Sequence, residues 1–234
     1  MKGGRVADAG FAAWNLALSL FSFWGCWQQL PWLSGMAAAR GVHFTVCSDM
    51  FELPTSRDGQ AILALLLFCF SKIPEFGDTA FLILRGKSVR FLQWYHHSTV
   101  MLFCWLAVAT RYTPGVWFAL TNYSVHAVMY MYFFLTHFAS LKALVKRVGP
   151  LVTIIQIAQM VLGLLINAFA IFHYALGRGC QIQSVTVCAA VVMYASYFVL
   201  FSQLFLESQQ AKAAGKGGKL AVCAVQPKSA AKAE

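Results

Sequence analysis

From Phe11 to Leu33 the chain runs without a single charged side chain, and stretches of the same kind recur as far as residue 206. A run of about 20 largely apolar residues is what a helix needs to cross a bilayer. This constrains the fold more than any other feature. The run that follows MKGGRVADAG is too long and too rich in Trp for a cleaved signal peptide, so it reads as a membrane helix. Spans are expected at about 11–33, 60–84, 91–110, 114–138, 150–174 and 186–206. The chain is therefore expected to be an all-α integral membrane protein of six helices. Residues 1–206 would be one membrane domain, and 207–234, rich in Ala, Gly, Lys and Gln, a disordered tail. Composition agrees: 59% of residues are hydrophobic and 11% charged, against about a quarter charged in a soluble domain.

The net charge of +10 does not point to nucleic acid. Its basic residues are scattered between apolar spans, and their asymmetry fits membrane orientation. With the N-terminus in the cytosol, thirteen Lys and Arg fall on that side and four (Arg40, Arg57, Arg111 and Arg178) on the other. Both termini are expected to be cytosolic. Cys47 and Cys180 fall in the two longer loops on the far side. An oxidising lumen would permit a disulfide there; two unpaired thiols are the alternative.

Polar side chains inside a span are costly, and they mark function or interhelical bonding. Here they lie at helical spacing. The second span, interrupted by SKIPEFGD and expected to bend at Pro74, carries Lys72, Glu75, Asp78 and Thr79. The third carries Gln93, His96 and His97. The fourth carries Asn122, His126, Met129, Tyr130 and Phe133, and the fifth Gln156 and Gln159. Each set lies on one helix face. At 1.5 Å per residue all four reach the cytosolic half of the bundle. His137 and His173 stand at span ends, and His43 in a loop.

Three histidines at most converge, too few for a di-iron centre, so no metal is expected. A neutral imidazole is a good nucleophile toward a thioester and a good general base. Beside carboxylates and a lysine, the set suits acyl transfer. A membrane lipid or acyl-CoA carrier using the same polar cluster is the reading of a different class.

Four motifs carry a family resemblance: KIPEFGDT (72–79) matches KxxExxDT, QWYHH (93–97) matches HxxHH with Gln first, NYSVHAVMYMYF (122–133) matches NxxxHxxMYxYY, and TIIQIAQ (153–159) matches TxxQxxQ. In this order they resemble the ELO family of very-long-chain fatty acid elongases, over about Trp14 to Phe205. The wording is similar to members acting on saturated and monounsaturated chains. The resemblance implies a multi-pass protein of the endoplasmic reticulum with its site open to the cytosol. It implies a helical bundle around an acyl tunnel, and condensation of acyl-CoA with malonyl-CoA to a 3-ketoacyl-CoA with release of CO2 and CoA.

On this reading His96 is the nucleophile, His97 orients or deprotonates it, and His126 serves malonyl decarboxylation; the roles of His96 and His126 are interchangeable, and a route without covalent attachment would use the histidines only as base and oxyanion partner. Lys72, Glu75, Asp78, Gln93, Asn122, Tyr130, Gln156 and Gln159 support the site. Arg85, Lys87, Arg90, Lys142, Lys146 and Arg147 would meet the CoA phosphates, although positive-inside topology accounts for most of them. No tightly bound cofactor is implied, and pairing of Cys47 with Cys180 is. The implied partners are the two CoA substrates, membrane lipid, the other enzymes of the elongation cycle and a second copy in a homodimer. The family typically has seven spans, so the first is expected to be missing here.

Overall fold

The computed structural model describes residues 2–52, 58–84, 86 and 88–214. Its long elements are α1 (Lys2–Arg40), α3 (Gly59–Ser71), α4 (Gly77–Leu84), α5 (Phe91–Ala109), α6 (Pro114–Leu135), α7 (Lys142–Ala175) and α8 (Ser184–Ala213). A short helix, α2 (Val42–Cys47), follows α1. No strand occurs among the described residues. The apolar runs favour helices because a helix satisfies its own backbone hydrogen bonds without water.

The elements pack side by side in a ring: α3 on α1, α1 on α6, α6 on α7, α7 on α8, α8 on α5, and α5 back on α3. Small residues permit the closest approaches. A Cβ at Gly25 of α1 would enter the ring of Tyr123, and one at Gly163 of α7 the ring of Tyr194. Tyr123 also donates to the Ala64 carbonyl of α3 at 2.8 Å, so one side chain ties three helices. Outside, large apolar side chains stand exposed, among them Phe23 at 62%, Trp27 at 69% and Leu102 at 65%. Soluble monomers rarely show so much contiguous apolar surface.

Three helical stretches are long and apolar enough to cross a membrane: 8–40, 139–175 and 184–211. A bent pair, 59–71 with 74–84, makes a fourth if it is one span. Helices α5 and α6 fall outside this set. The residues that lower their hydropathy are the His, Gln, Asn and Tyr side chains they carry inward. Several boundaries also differ from the sequence expectation. The span expected at 60–84 is two helices joined by a 3-10 turn, Pro74–Phe76, with a bend of 40°. Proline lacks the N–H that would continue the ladder. Helix α8 runs to Ala213, so 207–213 are helical where a disordered tail was expected. The remainder of that tail, from 215 on, lies outside the described residues.

At the end of the ring opposite the chain's N-terminus, a disulfide joins Cys47 to Cys180. The Gln181 N–H donates to the Cys47 carbonyl at 2.7 Å. Thr113 donates to the Ser48 carbonyl, and Arg111 meets Asp49 at 3.2 Å.

Candidate active site

The bend at Pro74 turns three charged side chains inward, and the structure resolves them into a connected cluster. Lys72 Nζ donates to Glu75 Oε1 at 2.6 Å and to Asn122 Oδ1 at 3.0 Å. It also stands 4.2 Å over the Phe68 ring. Ser71 donates to the same Glu75 oxygen at 3.2 Å. Lys72 is only 2% exposed. An unpaired ammonium at such a position would carry a large desolvation penalty, so the pair and the amide together make its burial tolerable.

The pattern assigns the His126 tautomer. Asn122 accepts from Lys72 through Oδ1, so its Nδ2 is a donor and faces His126 Nε2 at 3.0 Å. Nε2 is therefore the acceptor, and the proton of a neutral ring sits on Nδ1. Nδ1 lies 3.9 Å from Glu75 Oε1. His97 lies between two carboxylates, with Nδ1 3.9 Å from Glu75 Oε2 and Nε2 3.9 Å from Asp78 Oδ2. Those distances suit ion pairing and are too long for hydrogen bonds. Indeed His97 Nδ1 and Glu75 Oε2 are buried with no hydrogen-bond partner. Asp78 is held by Tyr130, which donates at 2.7 Å, and by the Trp14 indole at 2.6 Å.

His96 is arranged differently. Its side chain makes no hydrogen bond among the described residues. Its ring lies 4.7 Å from that of Tyr197 and 5.4 Å from that of His97, perpendicular to the latter. It faces a cavity of about 510 Å³. That cavity is walled by Asp78, Gln93, His96, His97, Asn122, His126, Tyr130, Gln156 and Gln159, and reaches Asp8, Ser88, Arg90, Thr136 and His137 at the end away from the disulfide. A second, apolar slot begins at His96, Asn122 and Gln159 and runs toward the disulfide end.

Most of the side chains expected from the motifs thus surround one cavity, but four findings qualify the expectation. Lys72 and Glu75 are not among the residues that line the cavity, and Lys72 supports the Asn122 amide from behind. Gln93 lines the cavity without joining the charged cluster. Gln156 donates to Met129 Sδ at 3.1 Å, and its own oxygen is unpartnered. Of the six basic residues expected to meet CoA, Arg90 alone among those described lines the cavity. Lys142, Lys146 and Arg147 are exposed at the start of α7 and away from its walls. Arg85 and Lys87 lie outside the described residues.

Sequence reasoning missed Trp14, Tyr197 and Phe201. Met193, Tyr194, Tyr197, Phe201 and Leu204 all face inward from α8. Their helical spacing was the available signal, but an aromatic stripe reads first as core.

Compared with known proteins, residues 6–216 match the family described as ELO: GNS1/SUR4 family. The chain is 39% identical over 196 residues to "Very long chain fatty acid elongase 4" of Trypanosoma cruzi, covering 83% of this chain and 67% of that protein. It is 40% identical over 210 residues to "Fatty acid elongase 1" of Trypanosoma brucei brucei, covering 88% and 68%. It is 35% identical over 196 residues to "Very long chain fatty acid elongase 6" of Gallus gallus, covering 83% and 71%.

Proposed function

Since the chain belongs to the ELO family, we propose that it is a membrane fatty acid elongase that condenses acyl-CoA with malonyl-CoA through an acyl-imidazole on His96. The observation that carries this reading is the place of His96. It is the histidine common to the cavity and the apolar slot, and its ring has no hydrogen-bond partner among the described residues. An acyl chain lying in the slot, with its CoA in the cavity, brings the thioester carbon to that ring.

The imidazole attacks the thioester carbonyl, and the C–S bond breaks to release CoA thiolate. Malonyl-CoA then enters the cavity. Its C–CO2 bond breaks, CO2 leaves, and the electron pair forms an enolate. The enolate carbon attacks the acyl-imidazole, the C–N bond breaks, and His96 is regenerated as 3-ketoacyl-CoA departs. His126 and Asn122 line the same cavity, and the second N–H of the Asn122 amide, the one not given to His126, would stabilise the enolate oxygen while His126 serves the decarboxylation. His97, between two carboxylates, holds the neighbouring ring and accepts or returns a proton. Arg90, which lines the cavity, would meet CoA phosphate. On this reading the reaction needs no tightly bound cofactor.

On this reading α5 and α6 also cross the membrane, which makes six spans with α3 and α4 counted as one. The cavity then opens to the cytosol and the disulfide faces an oxidising lumen, in keeping with an endoplasmic reticulum membrane. The other enzymes of the elongation cycle would consume the 3-ketoacyl product.

Purified protein incubated with labelled malonyl-CoA and a panel of acyl-CoAs is expected to yield labelled 3-ketoacyl-CoA and CO2. With acyl-CoA alone, mass spectrometry is expected to find the acyl group on His96. His96→Ala should lose both signals at an unchanged melting temperature, while His126→Ala should lose condensation and keep the adduct. Full condensation by His96→Ala would remove it from the mechanism. Binding of acyl-CoA with no CO2 release by folded wild-type protein would leave a carrier.

A further inference from the structure

The apolar slot has a definite far end. Beyond His96 its walls run along α5 to Ala107 and Val108, and it finishes against Met50 and Gly115. A Cβ placed on Gly115 would lie 3.7 Å from the Met50 methyl and 3.7 Å from Ala107 Cβ. Those are ordinary contact distances, so any side chain larger than Ala at 115 would fill this end.

Met50 is 6% exposed, and the three residues ahead of it reach three different parts of the ring. Cys47 is bonded to Cys180 and accepts from the Gln181 N–H. Ser48 accepts from Thr113. Asp49 is paired with Arg111. The backbone that presents Met50 therefore cannot shift without breaking covalent and polar tethers. Its side chain, in contrast, is one of the most adaptable.

We infer that Met50, seated against Gly115 at the closed end of the slot, sets the longest acyl chain the protein accepts. This rests on the elongase reading, from which the chain's occupancy of the slot follows. From His96 to Val108 is about 18 Å at 1.5 Å per helical residue. An extended chain advances about 1.2 Å per bond, so the slot has the length for about 15 carbons. It is narrow, with about 40 Å³ of open space. Met160 and Met193 share its walls, and these flexible side chains must draw aside to admit a chain.

The test is binding, measured apart from catalysis. Wild-type protein in nanodiscs is titrated with saturated acyl-CoAs from decanoyl to docosanoyl in two-carbon steps. Affinity is expected to rise with length and then fall at a cut-off. Met50→Ala removes three heavy atoms from the end of the slot and should raise the cut-off by about two carbons, at about 1.2 Å per bond. Gly115→Leu should lower it by at least as much. Melting curves with bound decanoyl-CoA report folding, and if Met50→Ala does not fold, Gly115→Leu decides.

A cut-off unmoved in folded variants, or no dependence of affinity on chain length, overturns the inference. The two readings fail separately. A moving cut-off without condensation by wild type refutes the chemistry and keeps the end wall. Condensation with an unmoved cut-off does the reverse.

Discussion

Lys72 shows how a single residue can organise this membrane interior without lining the cavity. Its ammonium bridges Glu75 and Asn122 and thereby turns the Asn122 amide toward His126. Removing one member of a buried pair leaves an uncompensated charge, at a cost of about 3–5 kcal/mol, whereas replacing both by apolar groups is far milder. Lys72→Met is therefore expected to lower stability strongly, as read by thermal or SDS denaturation in micelles. Lys72→Met with Glu75→Leu should recover most of that loss. Condensation should stay impaired in the double variant, because Asn122 and His126 lose their alignment. A double variant no more stable than the single one would mean that Glu75 does not depend on Lys72 for its burial. The KxxExxDT spacing brought Lys72, Glu75 and Asp78 to one helix face. Which of them meets the cavity was not legible, because the chain bends by 40° between Ser71 and Pro74, and a straight-helix spacing does not carry across that break.

At the scale of the helices, glycine decides where two of them meet. Gly163 lets α7 lie directly on the Tyr194 ring of α8, as Gly25 lets α1 lie on Tyr123 of α6. A methyl group at either position would have to displace an aromatic ring that is itself packed. Overpacking of this kind costs about 1–3 kcal/mol. Gly163→Ala should thus lower the melting temperature, and shortening Tyr194 to Leu in that background should return part of the loss. Gly35 gives the contrast, with nothing within 4 Å of a Cβ there. Gly35→Ala should be neutral or stabilising by up to about 1 kcal/mol, since Gly disfavours a helix by that amount. Equal effects at 35 and 163 would refute the close-approach account.

The whole molecule is a ring of helices tied at one end and open at the other. The bond between Cys47 and Cys180 spans 133 residues of sequence. Closing so long a loop stabilises a fully unfolded chain's native state by up to about 5 kcal/mol. Helices that remain inserted in lipid leave less entropy to remove. Reduction, or Cys47→Ser, is expected to lower the melting temperature measurably and to speed proteolysis at that end. An identical melting profile with and without reductant would show that the polar tethers hold the loop by themselves.

The sequence by itself determined the helical, membrane-embedded character of the chain and most of the residues around its cavity. Both are local matters: a run of apolar residues makes a span, and helical spacing puts His96 with Gln93, or Asn122 with His126, on one face. Only the tertiary structure decided which of those residues meet open space. Lys72 and Glu75 do not line the cavity, Lys142, Lys146 and Arg147 fall off it, and Trp14 and Tyr197 come in from helices at the two ends of the chain. The apolar slot and its end at Met50 belong to the same class. They arise from rotations and close approaches between segments distant in sequence, which spacing along one helix does not encode.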